Sequence, residues 1–320
     1  MTLNTKPSIN DGFALLAKNT DLSLGEYTSI TQSQAEIELY LRQHHGEASH
    51  GTFSTVLNGA FSRKTIVSPL FDNVIDLLVL YRDSNVKHSY PSRIFTKLTN
   101  SLIKQYPEAY VIEGKNTLML PVKNFKFRIQ PGYLSLNNSY MLPSDLFNEW
   151  VDYDIHSYDD IFVRENVRHK GRLIEIIRMI KTWNRVSGQH FNGYYLELLV
   201  TTVLRDYEIK SYSETLRHIF YAALSEVVFQ KQDPANTEFQ VEGLNDISDL
   251  ISTMVLLKKS YKLASEAIFL EEQEQTAKAL EIWNKIFPQV FPTQLDMVVG
   301  KARDAGIRGT DALRMMINQK

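Results

Sequence analysis

Asn58-Gly59-Ala60-Phe61-Ser62-Arg63-Lys64-Thr65, followed by Pro69-Leu70-Phe71-Asp72-Asn73-Val74-Ile75-Asp76-Leu77-Leu78-Val79-Leu80, is the stretch that decides how this 320-residue chain folds. Within it and one residue beyond, Ile75 to Tyr81 reads IDLLVLY, a short apolar run bounded by polar segments. That pattern predicts a strand buried on both faces rather than an amphipathic helix. Downstream, Pro91 to Tyr106 has helical spacing. Three strand candidates follow at Ala109–Ile112, Thr117–Val122 and Phe125–Gln130, the last two joined by Lys123 and Asn124 in a hairpin turn. Upstream, a helical period runs from Ser33 to Gln43, ahead of a turn-rich stretch.

Past Pro143 the pattern changes. Gly171–Val186, Tyr194–Leu204, Glu214–Val228, Ile247–Glu271 and Thr276–Ile286 all show helical spacing, with no competing strand. Strands with a few helices, followed by a helical run, predict an α+β palm against a helical lobe. The expected boundaries are a palm with its N-terminal helix over 1–165, a helical lobe over 166–292 and a tail over 293–320. Within the tail, Thr310 to Ile317 is expected to form a short helix able to dock on the body or on a partner.

Composition narrows the functional classes. Apolar residues at 43% and charged residues at 22% are those of an ordinary folded protein. Thirty-five basic against 37 acidic side chains give a formal charge of −2, which does not suit a surface built to capture extended nucleic acid. The absence of cysteine excludes disulfides, thiolate metal sites and cysteine nucleophiles. The N-terminal sequence lacks the order of a secretory signal, and no apolar run approaches the roughly 20 residues of a membrane span. A soluble, cytoplasmic protein is expected. His44, His45, Glu47 and His50 match no zinc spacing and read as a solvated loop. Trp183, Trp283, Tyr194 and Tyr195 follow helical apolar periodicity and read as core.

The Gly59 turn and the Asp76 strand resemble the polymerase-beta-like nucleotidyltransferase signature, Gly-Ser followed about a dozen residues later by Asp-x-Asp. In that signature a tight Gly turn brings amides to phosphate oxygens, while carboxylates on one strand face bind two metals for in-line displacement. Four further segments match the bacterial cyclic-oligonucleotide synthases, or CD-NTases, which include the cyclic GMP-AMP synthase and DncV-like nucleotidyltransferases. They are Arg172–Asn184 with its Lys181-Thr182-Trp183, Tyr194–Leu199, Gln232-Asp233-Pro234, and Ile282–Phe287 with Phe291-Pro292. The resemblance covers roughly residues 35–292.

The same resemblance marks departures. Gly59-Ala60 stands for Gly-Ser, and Val74-x-Asp76 for Asp-x-Asp. Counting back from Pro131, Arg128 stands where the third carboxylate is expected. Asp72 would share a face with Val74 and Asp76 if the strand began that early. It is then either a displaced ligand or a solvated turn residue. Arg128 is either at the third metal position or an exposed strand residue in another register. The resemblance further implies nucleotide contacts from Gly59, Ala60, Lys181 and Ser213. From residues alone, Lys181 is a helix-surface cation and Ser213 an N-cap before Glu214.

The resemblance thus implies a degenerate, non-catalytic relative working in bacterial antiphage signalling. It would bind a nucleoside triphosphate, a cyclic nucleotide or a protein partner from a defence system, with no cofactor. The alternative is an active synthase making a cyclic or linear oligonucleotide, with Asp72 and Asp76 holding Mg2+.

Overall fold

The computed structural model describes residues 7–44, 53–82, 85–135, 139–144, 148–236, 239–244, 247–304 and 306. In chain order the elements are helices α1 (Ile9–Asn19) and α2 (Leu24–His44), strands β1 (Phe53–Asn58) and β2 (Asn73–Tyr81), and helix α3 (Pro91–Gln105). Strands β3 (Tyr110–Val111), β4 (Leu118–Val122), β5 (Phe125–Leu134), β6 (Tyr140–Pro143) and β7 (Trp150–Tyr153) come next. After them run helices α4 (Ile155–Arg168), α5 (Arg172–Val186), α6 (Gly193–Val203) and α7 (Tyr212–Glu226), then strands β8 (Lys231–Gln232) and β9 (Gln240–Val241). Helices α8 (Ile247–Glu272), α9 (Thr276–Ile286) and α10 (Gln294–Asp304) complete the described chain. The expected tail helix at Thr310–Ile317, and His45, Glu47 and His50, lie outside the described residues.

The chain divides into two compact units, Leu22–Arg164 with Gln232–Gln240, and Met1–Asp21 with Glu165–Lys231 and Val241–Lys320. The first is built on a mixed sheet ordered β1-β2-β5-β4-β3, with β6 on β5 and β7 on β6. Strands β2 and β5 are parallel, and the other pairs are antiparallel. One sheet face, carrying Ile75, Leu77, Val79, Phe127 and Ile129, packs on Ile30, Ile37 and Leu41 of α2 and Ile94, Leu98 and Leu102 of α3. The opposite face buries Leu78 and Leu80 against Leu142 and Ile155, and it carries Val74 and Asp76 at its open end.

Helix α2 begins at Leu24 rather than near Ser33, because Ser23 and Glu26 form a capping box ahead of it. Glu26 also accepts from Ser68 Oγ and from the Leu70 amide, fastening the loop that leads into β2. Desolvation opposes ionisation of this carboxyl, but the hydrogen bonds outweigh it and hold its pKa below the usual carboxylate range. A group whose folded value is depressed stabilises the fold above its unfolded value, and that contribution is lost as pH falls through the folded one. Melting temperature is therefore expected to decline below about pH 5. Glu26→Gln should flatten that acid limb; an unchanged limb would show that the carboxylate does not hold the loop.

The second unit is helical. Helix α1, capped by a Ser8–Asp11 box, packs on α5, α7, α9 and α10, with Phe13 against Trp283 and Phe291. Trp183, Tyr195 and Trp283 are core residues here: Trp183 Nε1 donates to Ser260 Oγ, and the Tyr195 hydroxyl donates to the Phe229 carbonyl. Burial pushes the Tyr195 phenol up to about 12. Among the described residues, no helix is long and apolar enough to cross a membrane.

Candidate functional site

The site in the first unit is set by strand register. Asn58 on β1 pairs with Asp76 on β2, Asp76 with Arg128 on β5, and Arg128 with Met119 on β4. This row brings Arg128 directly beside Asp76, and Arg128 Nε donates to Asp76 Oδ1 at 2.5 Å. Both side chains are reachable from solvent, at 45% exposure for Arg128 and 21% for Asp76.

Gly59 closes over the same carboxylate. Its φ of +66° lies in the left-handed region, and a methyl group there would overlap Asp76 Oδ2. Gly59→Ala therefore combines backbone strain with a collision and is expected to cost about 1–3 kcal/mol, read as a lower melting temperature. An unchanged melting temperature would show that the turn is not held against Asp76. The turn bonds to itself, with the amides of Arg63, Lys64 and Thr65 donating to the carbonyls of Gly59, Phe61 and Ala60. Ser62 Oγ donates to the Gly59 carbonyl, and Ala60 packs on the sheet core.

Asp72 does not join the strand face. Strand β2 starts at Asn73, and Asp72 lies before it in a left-handed turn conformation, φ +57°. The alternation that would align it with Val74 and Asp76 never reaches it. Its exposed carboxylate instead meets Lys126 Nζ at 3.4 Å, and Lys126 sits on β5 opposite Val74. Lys126 went unnoticed in the sequence, although its position two residues before Arg128 puts both on one strand face.

Magnesium demands near-octahedral oxygen ligation at about 2.1 Å. Among the described residues no group of three or more His, Cys, Asp or Glu could hold a metal ion. The two carboxylates kept here, Asp72 and Asp76, are each matched by a side-chain cation, and Val74 offers no oxygen. These residues do not fit a two-metal centre.

Behind the turn lies a cluster that the sequence did not mark. Arg63 is buried, its Nη1 3.4 Å from Asp159 Oδ1 and its guanidinium 4.7 Å from the Tyr158 ring centroid. The Tyr153 hydroxyl donates to Asp233 Oδ2 at 2.6 Å. Burial, then the Asp233 charge, push the Tyr153 phenol far above its ordinary value. The Asp233-Pro234 turn is thus tied to β7 of the same unit.

Gly59, Ala60, Val74, Asp76 and Arg128 are gathered in the first unit, whereas Lys181 on α5 and Ser213 on α7 belong to the second. Lys181 Nζ lies 2.5 Å from Glu197 Oε1 on α6, and the Glu197 side chain is only 1% exposed. Ser213 is not the N-cap. Ser211 has the extended backbone a cap needs and accepts from the Glu214 amide, so Ser213 falls inside the helix and is buried.

A family model for the Second Messenger Oligonucleotide or Dinucleotide Synthetase domain matches residues 8–166. A Bacillus cereus (strain VD146) protein named a probable cyclic nucleotide synthase is 23% identical over 274 residues, covering 74% of this chain and 82% of that protein. Among solved structures, Vibrio cholerae DncV cyclic AMP-GMP synthase with a linear intermediate superposes with a TM-score of 0.74 at 12% identity, over 90% of this chain and 97% of that one. The CdnC:HORMA-deltaN complex of E. coli MS115-1 gives 0.65 at 15% identity, over 89% and 98%. At such identities the structural likeness speaks for the fold, a nucleotidyltransferase palm with a helical C-terminal part.

Proposed function

From the premise that this chain belongs to the cyclic-oligonucleotide synthase (CD-NTase) family, we propose that it is a non-catalytic member that acts by binding. The observation that carries this reading is the Asp76–Arg128 ion pair, a fixed cation on the strand position that the family resemblance gives to a metal-binding carboxylate. Members of the family normally use divalent metal ions. Nucleotidyl transfer needs the attacking hydroxyl deprotonated and the charge on the phosphoryl group neutralised. A guanidinium can stabilise phosphate oxygens, but it stays protonated and cannot take the proton. What this chain keeps is therefore suited to holding an anion rather than reacting it.

The ligand classes are a nucleoside triphosphate, a cyclic nucleotide or a protein partner, and the setting the family implies is bacterial antiphage signalling. Support for a protein partner comes from the HORMA-containing complex of CdnC, whose fold is similar. A second reading, an active synthase, is favoured by the name of the Bacillus cereus relative. In that case Asp72 and Asp76 would have to release Lys126 and Arg128 and take Mg2+. The test is overnight incubation with all four nucleoside triphosphates and magnesium or manganese, followed by chromatography. The proposal expects no oligonucleotide, and a product that disappears in Asp76→Asn would replace it with the second reading.

A further inference from the structure

We infer that Lys126 and Arg128 form a metal-independent binding site for a triphosphate group. This rests on the non-catalytic reading and adds to it the ligand chemistry and the residues. Alternation along β5 places both side chains on the sheet face that carries Asp76, about 7 Å apart along the strand. Three carboxylates without metal would repel a polyanion. Here two carboxylates face two cations, so divalent ions gain little by entering and a polyphosphate meets no uncompensated negative field.

Geometry favours exchange of partners at Lys126 and a held guanidinium at Arg128. The Asp72–Lys126 contact is long and largely exposed, and surface pairs of that kind hold together weakly. Phosphate oxygens can take over that ammonium at little cost. Asp76 engages Arg128 through Nε, which fixes the plane of a guanidinium carrying five N–H groups in a fork that suits phosphate. Val74, beside Lys126 in the register, brings no charge of its own to compete.

The experiment is calorimetry of the full chain with inorganic tripolyphosphate and with ATP, each in EDTA and in magnesium. Both ligands are expected to bind in EDTA at least as tightly as in magnesium. Lys126→Ala should weaken both by about tenfold, the scale of one charge-assisted hydrogen bond. Because Arg128→Ala alone would strand Asp76, the second variant is Asp76→Asn with Arg128→Gln. It keeps a neutral hydrogen-bonding pair, and should lose at least as much affinity with an unchanged melting temperature. Tighter binding of ATP than of tripolyphosphate would identify a nucleotide as the ligand; equal affinities would identify free polyphosphate, and both support the site. No binding of tripolyphosphate in EDTA, a requirement for magnesium, or wild-type affinity in both variants would overturn it. Product in the parallel incubation would sink the non-catalytic reading by itself, whereas lost EDTA binding without product would sink only this inference.

Discussion

Val74→Asp combined with Arg128→Asp is expected to give this chain a divalent-cation site, raising Mg2+ affinity by about a hundredfold or more. Residues 74 and 76 share one face of β2, and residue 128 is the direct parallel-strand partner of Asp76. Adjacent strands lie about 4.8 Å apart, so three carboxylates would converge on one volume. The pair of changes adds three units of negative charge. Each would attract a divalent ion by roughly 2 kcal/mol at 4–5 Å, even with water-like screening. Part of that is offset by stripping water from magnesium, which dehydrates reluctantly. Titration calorimetry against wild type measures the gain. Unchanged affinity would mean that the row Asn58–Asp76–Arg128 is not the vestige of a metal centre.

The second large effect is on stability. Lys181→Ala is expected to destabilise the helical unit by about 3–5 kcal/mol, because it leaves the buried Glu197 carboxylate without the ammonium 2.5 Å away. Replacing both, as Lys181→Met with Glu197→Leu, should recover much of the loss, since a well-packed apolar pair substitutes for a buried ion pair. Urea unfolding reads both variants. A Lys181→Ala protein as stable as wild type would show that the lysine is not committed to Glu197.

Much of the fold is legible from the sequence where one physical signal dominates. IDLLVLY announces β2 because both its faces are covered, and the Lys123-Asn124 turn places β4 beside β5. Arg172–Val186 and Thr276–Ile286 keep an apolar stripe that fits their burial. The elements that escaped notice lack that signal. Strand β1, FSTVLN, ends the sheet and pairs on one side only, so its pattern stays mixed and polar. Helix α1 opens with Asn10, Asp11 and Gly12, weak helix formers, and its start is marked only by the Ser8–Asp11 box.

The candidate site divides in the same way. That Asp76 and Arg128 are hydrogen-bonded depends on a parallel register between strands 52 residues apart, which no local pattern encodes. The exclusion of Asp72 from the face turns on one left-handed backbone angle. The pairing of Lys181 with Glu197 joins two helices, so α5 periodicity alone shows a surface cation where the structure has a half-buried one held by a buried carboxylate.

The most direct test of the central claim, that the row of Asp76 and Arg128 holds no divalent metal, is a manganese titration of the wild-type chain followed by electron paramagnetic resonance. The account predicts that the protein leaves the free Mn2+ signal undiminished. One or two tight manganese sites that vanish in Asp76→Asn would contradict it.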